Sequence, residues 1–540
     1  MRQTNEREFN LLDEPWIIVL NFDGSTEKVS LIDALARAAE FSGLAGELPT
    51  QDAAILRLLL AVLHRVIAGY GPNDDGSERD AIQAPLQALE YWKKIWSRRR
   101  FPMESIKRYL EKFHDRFYLF DPEYPFFQVP EIGRGTRYTA AKLNGELSES
   151  NNKIRLFPQR CGKEKGALSY DEAARWLLHV NAFDDTSGKK SDPNIKQSPG
   201  AGWLGKLGLV MAEGKDLFET LMLNLVLLKD GSDELWGEEF PIWESETVKR
   251  AERTEISLPQ SLSELYTLQS RRIELVREQD KVIGYILIGG DFFTKDNAFI
   301  EQMTLWRNAS KNEKSGMLFQ PKRHDPSKKI WRDFAAIASQ SGGRMPGVVM
   351  WTARLIRDGI LPQGLVRFKT VSAKYADKDF FIDDIFSDSM AFSGEMLGEK
   401  GSDWIPAVID QVEISNALVI QLANLAQSIA KAAGDSDGAF IRDAAKEQAY
   451  FALDMPFRSW LAGIDPAQEK LPEAEERWWN IAQPIVRRLG AELIAQAGPQ
   501  ALVGREVDQK NIAAPDAYNY FLYRIKNEQT LKNGGKKSGK

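Results

Sequence analysis

From about residue 404 the sequence changes texture, and that change limits the possible folds more than any single motif does. Long stretches of helical periodicity follow one another with short connections. Leu418, Leu422, Leu425 and Ile429 step by four, three and four residues, which lines them along one side of a helix as a core-facing stripe. Residues 437–463, 472–498 and 515–531 read as three more helices, with Pro515 suited to a first turn. Four such segments pack most simply as an antiparallel up-down bundle. Pro456 and Pro484 fall inside two of them, where the missing N–H and the ring predict a kink or a break.

The preceding 400 residues are mixed. "PWIIVLNFDGSTEKVSL" predicts a hairpin turning at Asp23 and Gly24, with a helix starting from Ser30. Residues 51–70 are apolar round most of a helix, so that helix is buried and His64 within it is a core histidine. A basic helical region near 86–116, an aromatic run and a loop-rich tract over 130–215 follow. "YTLQSRRIELV" and "KVIGYILIGG" predict a second hairpin joined through "REQD". The fold class read from these patterns is α+β: a large irregular N-terminal domain of hairpins and helices (1–400), a C-terminal four-helix bundle (401–531) and a disordered basic tail (532–540).

Composition narrows the function. With 43% hydrophobic residues, 14 Trp and 27 Phe the chain supports a large core, and no apolar run has the length of a membrane span. The charged opening "MRQTNEREFN" lacks a secretory pattern, so a cytoplasmic protein is expected. Cys161 is the one cysteine and the four histidines are scattered, which argues against a disulfide or a zinc site. The net charge of −6 gives no global field for nucleic acid, so any attraction rests on local patches. Three exist: "KKIWSRRR" (93–100), "NKIRLFPQRCGKEK" (152–165) and "FQPKRHDPSKKIWR" (319–332).

Signs of catalysis are missing. No zinc-protease, nucleophile-elbow or kinase pattern occurs. Asp384 and Asp388 would share a face if "FIDDIFSD" were helical, but a solvated surface is the simpler reading. Cys161 sits among cations without a discernible base. No metal and no cofactor is expected, and the chain reads as a noncatalytic binding protein.

"SPGAGWLGKLG" (198–208) holds GxGxxG at Gly200, Gly202 and Gly205. A dinucleotide site needs a strand before this motif and a helix after it, and the sequence provides neither. Two readings remain: a flexible surface loop, or a backbone stripped of side chains to press close to a large ligand.

"FNLLDEPWIIV" (9–19) and "VSLIDAL" (29–35) resemble the opening of the CasA family, the large subunit of the type I-E CRISPR Cascade surveillance complex. "FYLFDPEYPFFQ" (117–128), "AGWLGKLGLVMAEGKDLFETLMLNLV" (201–226), "YTLQSRRIEL" (266–275) and "IWRDFAAI" (330–337) resemble later family segments in the same order. The resemblance implies a subunit that recognises the protospacer-adjacent motif (PAM) in double-stranded DNA, starts duplex opening for crRNA pairing and helps recruit a helicase-nuclease. Its implied partners are target DNA, crRNA, the other Cascade subunits and that helicase-nuclease, with no membrane. Gly200, Gly202, Gly205 and Gly208 then match a loop that enters the PAM minor groove, with Lys206 on a flanking phosphate. Lys153, Arg155, Phe157 and Arg160 match a loop that meets the crRNA end and the PAM, although the family's asparagine is not reproduced there. Lys281 matches a cationic finger, with Arg271 and Arg272 competing for the role; in a strand one of those two should face away. Lys378, Asp379 and Phe380 fall where the family has a strand-separating wedge, here without its glutamine. The rival readings are a protein-only scaffold and, further off, a nucleotide-binding enzyme using GxGxxG.

Overall fold

The first hairpin turns where the sequence predicts. Asp23 accepts from the Ser25 amide (2.8 Å) and Gly24 adopts φ +85°, a conformation open to glycine. The strand Ile17–Asn21 pairs with Thr26–Val29 on one side and with Phe41–Leu44 on the other. Ser30 caps the next helix by accepting from the Asp33 amide (3.1 Å).

These details come from a computed structural model that describes residues 7–69, 81–149, 154, 156–186, 200–309, 318–339, 343–507 and 510–535. The chain divides into two compact units. The first comprises 1–327, 340–360 and 367–389; the second comprises 328–339, 361–366 and 390–540.

The first unit is built round the helix Pro49–Gly69, buried on nearly every side. His64 within it is fully enclosed, and burial pushes its pKa down to about 3, consistent with a neutral core histidine. Arg57 of the same helix is also buried. It donates two hydrogen bonds to Glu301 (2.9 and 3.0 Å) and lies over the Tyr266 ring at 4.1 Å. Two three-stranded sheets matter for function. In one, Lys281–Gly289 lies between Thr136–Thr139 and Arg271–Glu278. In the other, Leu365–Tyr375 lies between Leu209–Glu213 and Ile382–Ser393. Asp384 and Asp388 therefore sit on a strand, not on a helix.

The second unit holds the four long helices: Gly401–Ala433, Ala439–Ala462, Leu471–Ala495 and Ala514–Gly535. Leu418, Leu422 and Leu425 are buried on the first of them, as the stripe predicts. That helix is long and apolar enough to cross a membrane (mean hydropathy 1.2), but the other three pack on it, which makes it a core helix. Neither Pro456 nor Pro484 ends its helix. Buried residues on both sides of each proline, Leu453 and Phe457, Ala482 and Val486, hold the two halves in one packed face, which offsets the lost backbone bond. The upstream piece 328–339 joins this unit: Trp331 stacks on Phe457 at 4.4 Å, and the Arg332 guanidinium lies 3.5 Å over Tyr450. The last helix is described to Gly535, and residues 536–540 lie outside the described residues.

Candidate nucleic-acid interface

The helix Tyr170–Phe183 organises the predicted residues. Ser169 and Glu172 form a capping box at its start, and its 14 residues span about 21 Å. Its C-terminal end runs into Asp184, Asp185 and Thr186; the chain is next described at Gly200.

Arg271 fixes both sides of that interval. Its guanidinium is buried, donates to the Asp184 carboxylate (2.6 Å), and also reaches the carbonyls of Asp185 (3.0 Å) and Gly200 (2.6 Å). Arg272 is equally buried and pairs with Asp291. The two side chains do take opposite faces, as strand alternation requires, but both faces of this sheet are covered and each supplies a carboxylate, so both arginines are internal. Neither guanidinium reaches the surface in this structure.

Gly202, Gly205 and Gly208 are packed inward. A Cβ on Gly202 would lie 2.3 Å from the Ala182 carbonyl oxygen, one on Gly205 would lie 2.1 Å from the Tyr375 hydroxyl, and one on Gly208 would lie 2.4 Å from the Lys322 carbonyl oxygen. The segment is therefore no flexible loop over 200–208, and these three glycines make room for the protein's own atoms. Gly200 differs, with φ +74° and, among the described residues, only the Lys206 side chain beside it. The segment continues through a single 3-10 turn, Leu204–Lys206, into the strand Leu209–Glu213, so no helix follows GxGxxG to receive a pyrophosphate. Trp203 anchors it by donating to Glu301 (2.8 Å), the carboxylate already held by Arg57.

Lys206 makes no ion pair among the described residues. Its ammonium packs by the Trp203 ring (5.9 Å), and its pKa falls to about 8, through burial first and then through the nearby cations Arg271, Lys295, Arg253 and Arg323.

Lys378–Phe380 adjoins this region. Lys378 and Asp379 both adopt positive φ (+55° and +58°), which costs roughly 1–2 kcal/mol each. Local bonds compensate. Asp379 takes two bonds from Arg323 (2.6 and 2.8 Å), its carbonyl accepts from the Thr186 amide (2.9 Å), and the Lys378 carbonyl accepts from the Thr186 hydroxyl (2.8 Å). Phe380, half exposed, stands at the tip.

Arg160 and Lys281 lie toward the other end of the helix. Arg160 donates to Glu172 (2.7 Å), and Tyr170 donates to the carbonyl of Gln279 in the turn before Lys281. Lys281 itself is exposed. Phe157 is 94% exposed and Leu156 90%, the highest exposures among the described large apolar side chains. Lys153 and Arg155 lie outside the described residues. A cleft of about 1200 Å³ joins the two ends, lined among others by Tyr138, Ile154, Lys165, Ile283, Phe380 and Phe381. Among the described residues no three His, Cys, Asp or Glu side chains gather as a metal site.

The family model for CRISPR-associated protein Cse1 matches residues 10–489. The chain belongs to the Cse1 family. A CasA/Cse1 protein of Thermus thermophilus is 32% identical over 346 residues; that alignment takes in 63% of this chain and 62%, less than two thirds, of the relative. The crystal structure of Thermobifida fusca Cse1 is 32% identical with a TM-score of 0.83, covering 97% of this chain and 99% of that one. Cse1 from Acidimicrobium ferrooxidans is 27% identical with a TM-score of 0.77, at the same coverage. A chain of a CRISPR RNA-guided surveillance complex, 15% identical with a TM-score of 0.72 and covering 96% of this chain and all of that one, shares the fold. The expected CasA family and the α+β class are thereby borne out. Within this Cse1 fold, sequence reasoning missed Asp184, Tyr375 and Glu301, and saw Arg323 only as part of a basic run. Each works through a partner 56 to 244 residues away, and no local pattern marks such pairs.

Proposed function

We propose that the chain is the noncatalytic large subunit of a type I-E CRISPR Cascade complex, recognising the PAM in double-stranded DNA and promoting duplex opening for crRNA pairing. Pairing then reads the long sequence and protein reads only a short duplex motif, the division of labour general to RNA-guided recognition. The observation that carries this reading is Lys206: an ammonium with no carboxylate among the described residues, set among four other cations beside Gly200. A protein keeps such a charge at a cost, and a phosphate offsets it. Gly200 and Lys206 meet the duplex; Gly202, Gly205, Gly208 and Arg271 hold them in position. Phe380 is the wedge in this reading, unstacking the neighbouring base step at a cost of a few kcal/mol; its half-exposed ring on a hairpin tied to Thr186 supports that role. Phe157, with Lys153, Arg155 and Arg160, meets the crRNA end, and Lys281 is the cationic finger. The complex then recruits the helicase-nuclease, and the cytoplasm is its place of work.

The test is duplex retention by the chain reconstituted on a crRNA-loaded Cascade core, with and without a PAM, for wild type and Lys206→Met. PAM-dependent retention that the substitution weakens by about tenfold or more, with assembly intact, supports the reading; each base read is worth about 1–3 kcal/mol. Equal retention of every duplex by both proteins rejects it.

A further inference from the structure

The basic run 93–100, which the proposed site does not use, occupies the corner between the helices Pro85–Arg98 and Met103–Lys112. Residues 93–112 carry eight cations against two carboxylates, in a chain whose net charge is −6. Arg99 caps the first helix in the left-handed conformation (φ +51°), and its guanidinium is committed to Asp216 and Glu219, which sets the corner rigidly. Lys93, Arg98, Arg100, Lys107, Arg108 and Lys112 are exposed. Of these, Lys93, Arg100 and Lys107 make no ion pair among the described residues. Favourable interaction with a helix C-terminus accounts for cations in a last turn, such as Arg98 and Lys112, but not for these three.

We propose that this outer face is a second, sequence-independent surface for the phosphate backbone of duplex DNA. Its composition decides between polyanions. Protein interfaces are enriched in exposed aromatics and depleted in Lys. Here Tyr91, Trp92, Ile95, Ile106, Tyr109 and Leu110 are buried and Trp96 and Met103 half-buried, and the one exposed large apolar side chain described on the two helices, Leu86, stands at the start of the first, away from the basic corner. A face of cations without an apolar centre suits phosphates, which are bound by charge and counterion release. The inference rests on the reading that the chain meets duplex DNA, but not on the glycine segment.

The experiment titrates the full chain against two fluorescent 30-base-pair duplexes of unrelated sequence between 50 and 200 mM KCl, following anisotropy. Wild type binds both alike. The triple variant Lys93→Glu, Arg100→Glu, Lys107→Glu, changed only at exposed positions, gives a slope of log K against log [salt] shallower by about 2.7, three phosphate contacts at about 0.9 each. The charge-keeping set Lys93→Arg, Arg100→Lys, Lys107→Arg retains the wild-type slope. An unchanged slope in the triple variant overturns the proposal, as does wild type that binds neither duplex at 50 mM. A triple variant that keeps its DNA binding but no longer joins the other subunits overturns it in favour of an acidic protein partner. If Lys206→Met leaves PAM discrimination intact while the triple variant still flattens the slope, the glycine-segment reading fails and this one stands.

Discussion

Segments 200–208 and 156–166 are both proposed to meet nucleic acid, yet they are built in opposite ways. The first is buried backbone. Three of its glycines admit a neighbouring carbonyl or hydroxyl, its first residue is held by Arg271, and its tryptophan is fixed to Glu301. The second carries Leu156 and Phe157 almost wholly in solvent, with Arg160 tied back to Glu172. A segment that offers backbone to a ligand must have its geometry set beforehand, because backbone has few rotamers with which to adjust. One that offers a ring needs only an exposed side chain, which gains its contacts on binding.

Substitutions sharpen that contrast. Arg271→Ala should have the largest effect, since it strands the buried Asp184 carboxylate and releases both sides of the clamp. A loss of about 3–5 kcal/mol in urea unfolding of the full chain is expected, and a loss below about 1 kcal/mol would show that the clamp is incidental. Gly202→Ala forces a methyl against the Ala182 carbonyl and should cost about 1–3 kcal/mol, together with PAM-dependent retention. Phe157→Ala should leave stability within about 0.5 kcal/mol and still weaken nucleic-acid binding in the assembled complex by about 1–3 kcal/mol. A large loss of stability there would erase the distinction between the two segments.

The smallest expected effect is a titration. The pKa of Lys206 is lowered, so the unfolded chain holds its proton more tightly than the folded one. Stability contributed by this group is therefore gained as pH rises from about 8 toward the ordinary lysine value, while attraction for an anion is lost over the same range. Duplex retention measured from pH 7 to 9 should fall for wild type and stay nearly flat for Lys206→Arg. Parallel curves would remove Lys206 from the contact.

Much of the fold was legible because it is written in local periodicity. The four long helices, the two hairpins and the buried helix 49–69 follow from apolar spacing and turn residues that act within a few positions of one another. The prolines at 456 and 484 misled, since their local cost is met by packing that the segment itself does not contain. Residues 330–337 were recognisable as a family segment, but not as part of the helical unit, because Trp331 meets Phe457 across more than a hundred residues.

The elements, the family resemblance and the glycine spacing can all be read along the chain. What the glycines are for depends on the packed chain, which turns three inward and leaves only Lys206 beside Gly200 among the described residues. It also decided that Arg271 and Arg272 are internal partners and that Lys206 has no such partner among the described residues. The difference lies in the range of the forces involved. Helix and turn preferences act between neighbours in the chain, whereas burial and charge pairing act between neighbours in space, and those are chosen when the whole core closes.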